Sequence, residues 1–184
     1  MTRRPGTPPR QLARAATVSI ERRPDDDPDV VECVTRYVAE LDRRTPGGFR
    51  LADGDALLDP GGHYLLAVSQ GRPVAVGGVR ALPLLSTEVS TAEVKRMWVA
   101  EDWRGAGLGA RMLRHLERRA LDLGHRRVLL DTKRHLTEAV TLYERAGYRE
   151  VERYNDNAAA ELFFEKTLPD TVRAASGEPD NVAG

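Results

Sequence analysis

Cysteine, long apolar runs and net charge are all scarce in this chain of 184 residues. Its one cysteine, Cys33, excludes an intrachain disulfide and a cysteine-based zinc site, and its apolar neighbours predict a small buried thiol. No apolar run approaches the roughly 18 to 20 residues that a membrane-spanning helix needs, so we expect no membrane partner. Lys+Arg and Asp+Glu both number 28 and the formal net charge is zero, which gives no global attraction to nucleic acid. We therefore expect no nucleic-acid partner, and any affinity for anions must be local.

Histidine is also sparse, and the four histidines include no pair at metal-ligand spacing. The acidic run at 25–27 is better explained as the start of a helix than as a cation site. We therefore predict no metal site.

The length of the chain predicts one domain, and the composition of its two ends predicts terminal tails. Residues 1–15 are rich in Arg and Pro and predict a disordered basic tail. Residues 169–184 are small and polar and predict a second disordered tail. The single folded domain is expected over 16–168.

Strand and helix patterns alternate between these tails. Helices are predicted over 28–43, 107–123 and 137–146, and strands over 17–21, 63–68, 73–82, 92–99, 126–131, 148–153 and 161–166. A long connection is predicted at 45–61, and Ser69-Gln70-Gly71-Arg72 is a hairpin signal. This order predicts a mixed α/β sheet.

The segment Arg104-Gly105-Ala106-Gly107-Leu108-Gly109 lies between a predicted strand and an amphipathic helix. Its three alternating glycines let main-chain N–H groups approach an anion without interference from Cβ atoms. The start of a helix adds a partial positive charge and N–H donors without acceptors, and an arginine adds a planar group suited to phosphate. Together these features predict a diphosphate site.

A glycine turn of this kind has three other possible interpretations. A P-loop is excluded because no Lys-Ser or Lys-Thr pair follows the last glycine. A dinucleotide fold fits Gly105-x-Gly107-x-x-Ala110 with Asp131 downstream, but five residues separate the strand from the first glycine. A turn that binds nothing is the third, and it would leave costly glycines unexplained.

Three motifs in register resemble one enzyme superfamily. Arg104-x-x-Gly107-x-Gly109 resembles the acetyl-CoA signature of the GCN5-related N-acetyltransferases (GNAT), Glu93 to Val99 resembles their central strand, and Leu142 to Tyr148 resembles their "LYE-x-x-GF" motif. The resemblance spans about 17–168 and implies a mostly antiparallel central sheet flanked by helices. Leu136 departs from it, since many relatives carry a polar residue there that contacts the cofactor.

The resemblance implies a set of cofactor contacts. Main-chain groups of the central strand would bind the pantetheine arm, freed by a local bulge or a splayed strand pair. The expected contacts are Met97, Trp98, Val99, Arg104, Gly105, Ala106, Gly107, Leu108, Gly109, Ala110 and Ala139.

The resemblance also implies two catalytic residues. Tyr143 would be the general acid for the leaving thiolate, although its ring could instead pack in the core. Glu93 would be the general base that accepts the proton of the attacking amine, although a strand-edge salt bridge to Lys95 or Arg96 would explain it equally. Glu88 is a weaker substitute.

These residues predict an N-acetyltransferase that moves an acetyl group from acetyl-CoA to a primary amine of a small molecule, peptide or protein. Direct attack in a ternary complex is expected, because no Cys or Ser–His arrangement indicates a covalent intermediate. The alternative is a non-catalytic CoA-binding regulatory module on the same fold. A cytoplasmic, bacterial protein is expected, and the resemblance allows a homodimer. Acceptor specificity is expected in 46–58, 84–90 and 154–157.

Overall fold

A computed structural model describes residues 17–50, 62–82 and 89–169 of the chain. The predicted tails lie outside the described residues, apart from Pro169. Most of the predicted connection at 45–61 also lies outside them, as does Glu88.

The described residues form seven strands and three α-helices, and the strands make a single central sheet. The strands are β1 (Ser19–Arg23), β2 (His63–Ser69), β3 (Arg72–Ala81), β4 (Thr91–Val99), β5 (Arg127–Thr132), β6 (Arg149–Val151) and β7 (Leu162–Thr167). The helices are α1 (Pro28–Arg44), α2 (Leu108–Asp122) and α3 (Thr137–Arg145), and a 3-10 turn at Glu101–Trp103 precedes α2. Each predicted helix and strand is present, with ends that differ by a few residues.

The strands form one sheet in the order β1-β2-β3-β4-β5-β7-β6. Only the pairing of β4 with β5 is parallel among these strands. The predicted mixed, mostly antiparallel sheet is therefore confirmed. A doubly wound dinucleotide fold would need a largely parallel sheet, so the dinucleotide interpretation does not fit this topology.

Helix α1 begins where the acidic run predicts a helix start. The side chain of Asp27 accepts hydrogen bonds from the N–H groups of Asp29 (2.9 Å) and Val30 (3.4 Å), and Pro28 occupies the first turn. The helix buries Cys33 completely, as its apolar neighbours predict. Its buried face packs on one side of the sheet, against residues that include Tyr64, Leu66, Val76 and Trp98.

Helix α2 covers the opposite side of the sheet. Its apolar stripe, which includes Met112, Leu113 and Leu116, packs with alternate residues of β2 and β3 and is fully buried. The helix lies close to the sheet at Gly77, where an added Cβ would be 2.7 Å from Leu116 Cδ1. This close packing fixes the start of α2 beside the end of β4.

Candidate active site

Strands β4 and β5 separate along their length and leave a gap in the sheet. They pair only from Thr91 to Glu93 on β4 and from Arg127 to Leu129 on β5. Strand β4 continues to Val99, so the later part of its β5-facing edge has no pairing with β5. Its main-chain groups on that edge are available to a ligand.

A β-bulge distorts β4 beside this gap. Val76 pairs with Trp98 and Gly78 pairs with Lys95, so two residues of β4, Arg96 and Met97, lie opposite one residue of β3. Arg96 adopts the left-handed conformation, with φ of 55°, which is unusual for a residue with a side chain. Both features that would free main-chain groups are therefore present.

A large cavity of about 930 Å³ opens at this gap, bounded by α1, α3, the end of β4 and the glycine turn. We call it the large cavity. Of the predicted cofactor contacts, its walls include Met97, Trp98, Val99, Arg104, Gly105, Gly107, Gly109, Ala110 and Ala139. Ala106 and Leu108 do not line it, and the side chain of Leu108 is buried in the core. The predicted catalytic Tyr143 lines it, so the structure brings this tyrosine and the turn to one cavity.

The glycine turn presents the bare start of α2 to the large cavity. Gly105 and Gly107 have φ of 74° and 84°, values that a residue with a Cβ adopts only with strain. Gly107 provides no side-chain cap, and the first internal bond of the helix runs from Arg111 N to Gly107 O at 3.0 Å. The N–H groups before it therefore have no acceptor within the helix, as an anion site requires.

Arg104 is held by a residue that the sequence did not single out. Its Nη2 donates to Glu40 Oε2 at 2.6 Å and its Nε donates to the carbonyl of Val99 at 2.9 Å. The same carboxylate oxygen accepts from the indole N–H of Trp98 at 2.8 Å. Burial raises the pKa of Glu40, but the hydrogen bonds from Arg104 and Trp98 outweigh it and the pKa lies below its usual value. Glu40 thus ties α1 to both the end of β4 and the turn.

A second, smaller cavity of about 480 Å³ lies across the gap, and we call it the small cavity. The two cavities share six lining residues: Tyr37, Leu41, Met97, Leu136, Ala139 and Tyr143. Leu136, the departure from the resemblance, thus presents an apolar side chain to both. The two cavities meet where the predicted general acid lies.

Two tyrosines at this junction remain protonated at neutral pH. Burial raises the pKa of Tyr143 well above its usual value, and the nearby Tyr37 and Asp131 raise it further. Burial also raises the pKa of Tyr37 to about 12. Among the described residues, none accepts a hydrogen bond from the Tyr143 hydroxyl, so this donor is available to a ligand. Sequence reasoning missed Tyr37, although it lies one helical turn before Leu41 on the buried stripe of α1.

Glu93 is completely buried and lines neither cavity. Its Oε2 accepts from Arg80 Nε at 2.7 Å, and its Oε1 accepts from the Tyr154 hydroxyl at 2.8 Å and from Asn155 Nδ2 at 3.0 Å. Lys95 Nζ is 3.6 Å from Oε1. Glu93 therefore forms ion pairs within the sheet, as the alternative to a general base predicts. Its partners are Lys95, which that alternative named, and Arg80, which it did not.

Asp131 lines the small cavity, not the large one. Its carboxylate accepts hydrogen bonds from Lys95, Asn155 and Asn157. The dinucleotide interpretation would need Asp131 beside a ligand on the glycine turn, and the structure separates the two. The segment 154–157, predicted to bear on acceptor specificity, does reach this cavity through its asparagines.

The described residues include neither a cluster of metal-binding side chains nor a helix that could cross a membrane. No three His, Cys, Asp or Glu side chains within them are grouped so that they could hold a metal ion. None of the helices formed by those residues has the length and apolar character to cross a membrane.

Known proteins similar to this chain are acetyltransferases. The model of the Acetyltransferase (GNAT) family matches residues 23–148. The uncharacterized N-acetyltransferase YjgM of Escherichia coli is 26% identical over 133 residues, which cover 69% of this chain and 78% of that protein. The IAA acetyltransferase of Azospirillum brasilense is 31% identical over 123 residues, covering 64% and 77% respectively. Among solved structures, a GNAT acetyltransferase from Staphylococcus aureus superposes with a TM-score of 0.67 at 16% identity, over 83% of this chain and 100% of that one.

Proposed function

Because this chain belongs to the acetyltransferase (GNAT) family and is an acyl-CoA-dependent N-acetyltransferase, we propose that it acetylates a primary amine by direct attack within a ternary complex. The donor is acetyl-CoA, the general donor of the family. The acceptor amine belongs to a small molecule, a peptide or a protein.

The observation that carries this mechanism is the meeting of two cavities at the gap between β4 and β5. A donor in the large cavity and an acceptor in the small cavity approach each other at Tyr143, Met97 and Ala139, which line both. Direct attack needs both substrates bound at once with their reacting atoms adjacent, and two joined cavities provide this arrangement.

The expected cofactor residues divide between two parts of the donor. The diphosphate takes the N–H groups at the start of α2, with Arg104 through Ala110 as the surrounding segment. The pantetheine arm takes main-chain groups of Met97, Trp98 and Val99, which lie on the β4 edge without β5 pairing. Ala139, which lines both cavities, gives the arm a wall without a bulky side chain.

The chemistry requires one proton to leave and one to arrive. The neutral amine nitrogen attacks the thioester carbon, the new N–C bond forms as the nitrogen releases its proton to water in the small cavity, and the C–S bond breaks with its electron pair on sulfur. Tyr143 donates its hydroxyl proton to the departing thiolate, because it lines both cavities at their junction and burial keeps its hydroxyl protonated at neutral pH by raising its pKa.

For Glu93 we propose a positioning role rather than direct contact with the amine. It lines neither cavity, but Asn155 Nδ2 donates both to Glu93 Oε1 at 3.0 Å and to Asp131 Oδ2 at 2.7 Å. Glu93 thereby orients the polar groups that face the acceptor.

We further propose that the enzyme is cytoplasmic and bacterial and acts as a homodimer, as the family resemblance allows.

Tyr143→Phe tests the mechanism. The variant should keep the wild-type dissociation constant for acetyl-CoA, while kcat falls by about 10² to 10⁴, the usual contribution of a general acid. CoA release with a panel of amines measures turnover, and calorimetry measures binding.

Tyr148→Phe is the matched control, because Tyr148 packs against Tyr143 with ring centroids 6.0 Å apart but lines neither cavity. Its turnover should be unchanged. Normal turnover by Tyr143→Phe would remove the acid role, and acetyl-CoA binding without turnover of any amine would indicate a non-catalytic module.

A further inference from the structure

The carboxylate of Asp131 has one oxygen that is nearly saturated and one that is not. Oδ2 accepts from Asn155 Nδ2 (2.7 Å), Lys95 Nζ (3.2 Å) and Asn157 Nδ2 (3.2 Å). Within the described part of the chain, Oδ1 accepts only from Asn157 Nδ2, at 3.2 Å. A carboxylate oxygen accepts about two hydrogen bonds, so Oδ1 has capacity for another donor. This oxygen belongs to a side chain that is 10% exposed, in the wall of the small cavity.

The walls of the small cavity carry more positive than negative side chains. Its described lining includes five basic residues, which are Arg50, Arg80, Lys95, Arg96 and Lys133, and two acidic ones, Asp131 and Asp156. The ion pairs of Arg80 with the buried Glu93 and of Lys95 with Asp131 compensate two of the basic groups. Lys133 and Arg50 still outnumber Asp156, the other acidic residue, so positive charge remains on the walls of this cavity.

Lys133 and Arg50 contribute this charge most directly. Neither forms an ion pair with a carboxylate over 17–50, 62–82 and 89–169, and both line the small cavity. The Lys133 ammonium lies 5.6 Å from the centroid of the Phe49 ring, which also lines the cavity. None of the described residues accepts a hydrogen bond from this ammonium. An anionic ligand group would satisfy both cations.

The negative and positive groups lie close together along the chain. Asp131 and Lys133 are two residues apart at the end of β5, which corresponds to about 7 Å of extended backbone. A small molecule whose ammonium and anionic groups are a few bonds apart can contact both. The volume of about 480 Å³ lies within the roughly 300 to 1,000 Å³ typical of small-molecule sites.

We propose that the acceptor is a small primary amine that also carries an anionic group, either carboxylate or phosphate-like. Its amino end binds Asp131 Oδ1 next to the junction with the large cavity, and its anionic end binds Lys133 and Arg50. This inference rests on the proposed function, because it names the substrate class of the same reaction.

Matched pairs of amines test this substrate class. CoA release is measured with amino acids of increasing chain length and with their carboxamides, and with aminoalkyl phosphonates and the corresponding amino alcohols. The anionic member of a pair should show a kcat/KM at least tenfold above its neutral partner, and comparing the two series distinguishes carboxylate from phosphate-like recognition. Equal or better turnover of the neutral members overturns the inference, as does an absence of turnover with every anionic amine.

Lys133→Met tests the assigned residue. Loss of a charge-assisted hydrogen bond should raise KM for an anionic amine by about 10- to 100-fold and leave KM for its neutral partner unchanged. Lys133→Arg should retain most of the wild-type affinity. Arg134→Met is the matched control, because Arg134 is adjacent and exposed but does not line the cavity, and its KM values should be those of the wild type.

The two hypotheses fail in different ways. Equal effects of Lys133→Met on anionic and neutral amines would contradict the anionic acceptor. Binding of acetyl-CoA with acetylation of neutral amines alone would contradict it too, while leaving the proposed function intact. Absence of acetyl-CoA binding by calorimetry would contradict the proposed function itself.

Discussion

The substitution Gly109→Ala should affect the stability of the fold and the binding of acetyl-CoA in opposite directions, so it tests the two separately. Gly109 is the second residue of α2 and its backbone is not left-handed. An added Cβ would lie 3.5 Å from Leu142 Cδ2 and 3.9 Å from Met97 Cε, which are ordinary van der Waals distances. The protein alone therefore has room for alanine at this position.

The expected effect on stability is favourable. Alanine is preferred to glycine in helices by up to about 1 kcal/mol, and less in the first turn, so we expect a gain of roughly 0.5 kcal/mol in the free energy of unfolding. This corresponds to a rise in Tm of about 1 to 2 °C for a domain of this size. Thermal unfolding of the protein without ligand measures it.

The expected effect on binding is unfavourable. Leu142 and Met97 line the large cavity together with Gly109, so the new methyl group would lie in the cavity wall where the diphosphate is proposed to approach the backbone. Loss of one charge-assisted hydrogen bond costs about 1.5 to 3 kcal/mol, which weakens the dissociation constant for acetyl-CoA by roughly 10- to 100-fold. Calorimetry and the ligand-induced rise in Tm both report this change.

Gly124→Ala is the control at the other end of α2. Gly124 has φ of 90° and no atom within 4 Å of an added Cβ, and it lies outside the large cavity. Strain should lower stability by about 1 to 2 kcal/mol while the acetyl-CoA affinity stays unchanged. If Gly109→Ala were more stable than the wild type and bound acetyl-CoA equally well, the turn would not be the diphosphate site.

Three further changes test the buried ionisable groups. Glu40→Gln should lower the free energy of unfolding in urea by about 1 to 3 kcal/mol through loss of the bond to Arg104, and an unchanged midpoint would show that this bond contributes nothing. The wild type should lose the same contribution as the pH falls below the usual glutamate pKa of about 4.3, because the folded pKa is lower still. Glu93→Gln should lower kcat but preserve the acidic limb of the pH–rate profile, and loss of that limb would identify Glu93 as the base. Burial raises the pKa of the Cys33 thiol to about 11, so the folded state holds a proton that the unfolded chain releases above pH 9. Stability should therefore fall between pH 9 and 11, and Cys33→Ala should remove that part of the decline in urea unfolding.

Local features of this fold could be predicted from the sequence because local residues determine them. Asp27 caps α1 through its own side chain, and Gly124 and Gly147 end helices with φ of 90° and 86°. The glycine turn is equally local, since its conformation depends on Gly105 and Gly107 themselves. Such features need no knowledge of what packs against them.

The contacts that complete the site join residues far apart in the chain. Glu40 meets Arg104 across 64 positions, and Glu93 meets Tyr154 across 61. The types of these residues show that they can form ion pairs and hydrogen bonds, but not which partner each one finds. For this reason only the structure shows the hydrogen-bond partners of Glu40 and Asp131, and the surroundings of Glu93 differ from those expected of an accessible base.

The family resemblance implied a splayed strand pair or a bulge, but residue patterns alone could not place the gap between β4 and β5, because the neighbouring strands produce it. Strand β5 pairs with β7 along its whole length, from Arg127 to Thr132, whereas β4 follows β3 as far as Val99. Each strand is therefore held by its neighbour on the side away from the gap. The bulge at Arg96 and Met97 bends the end of β4 away from β5. The site exists because two well-paired halves of the sheet diverge, so substitutions that disturb the outer pairings should affect acetyl transfer even when they lie far from either cavity.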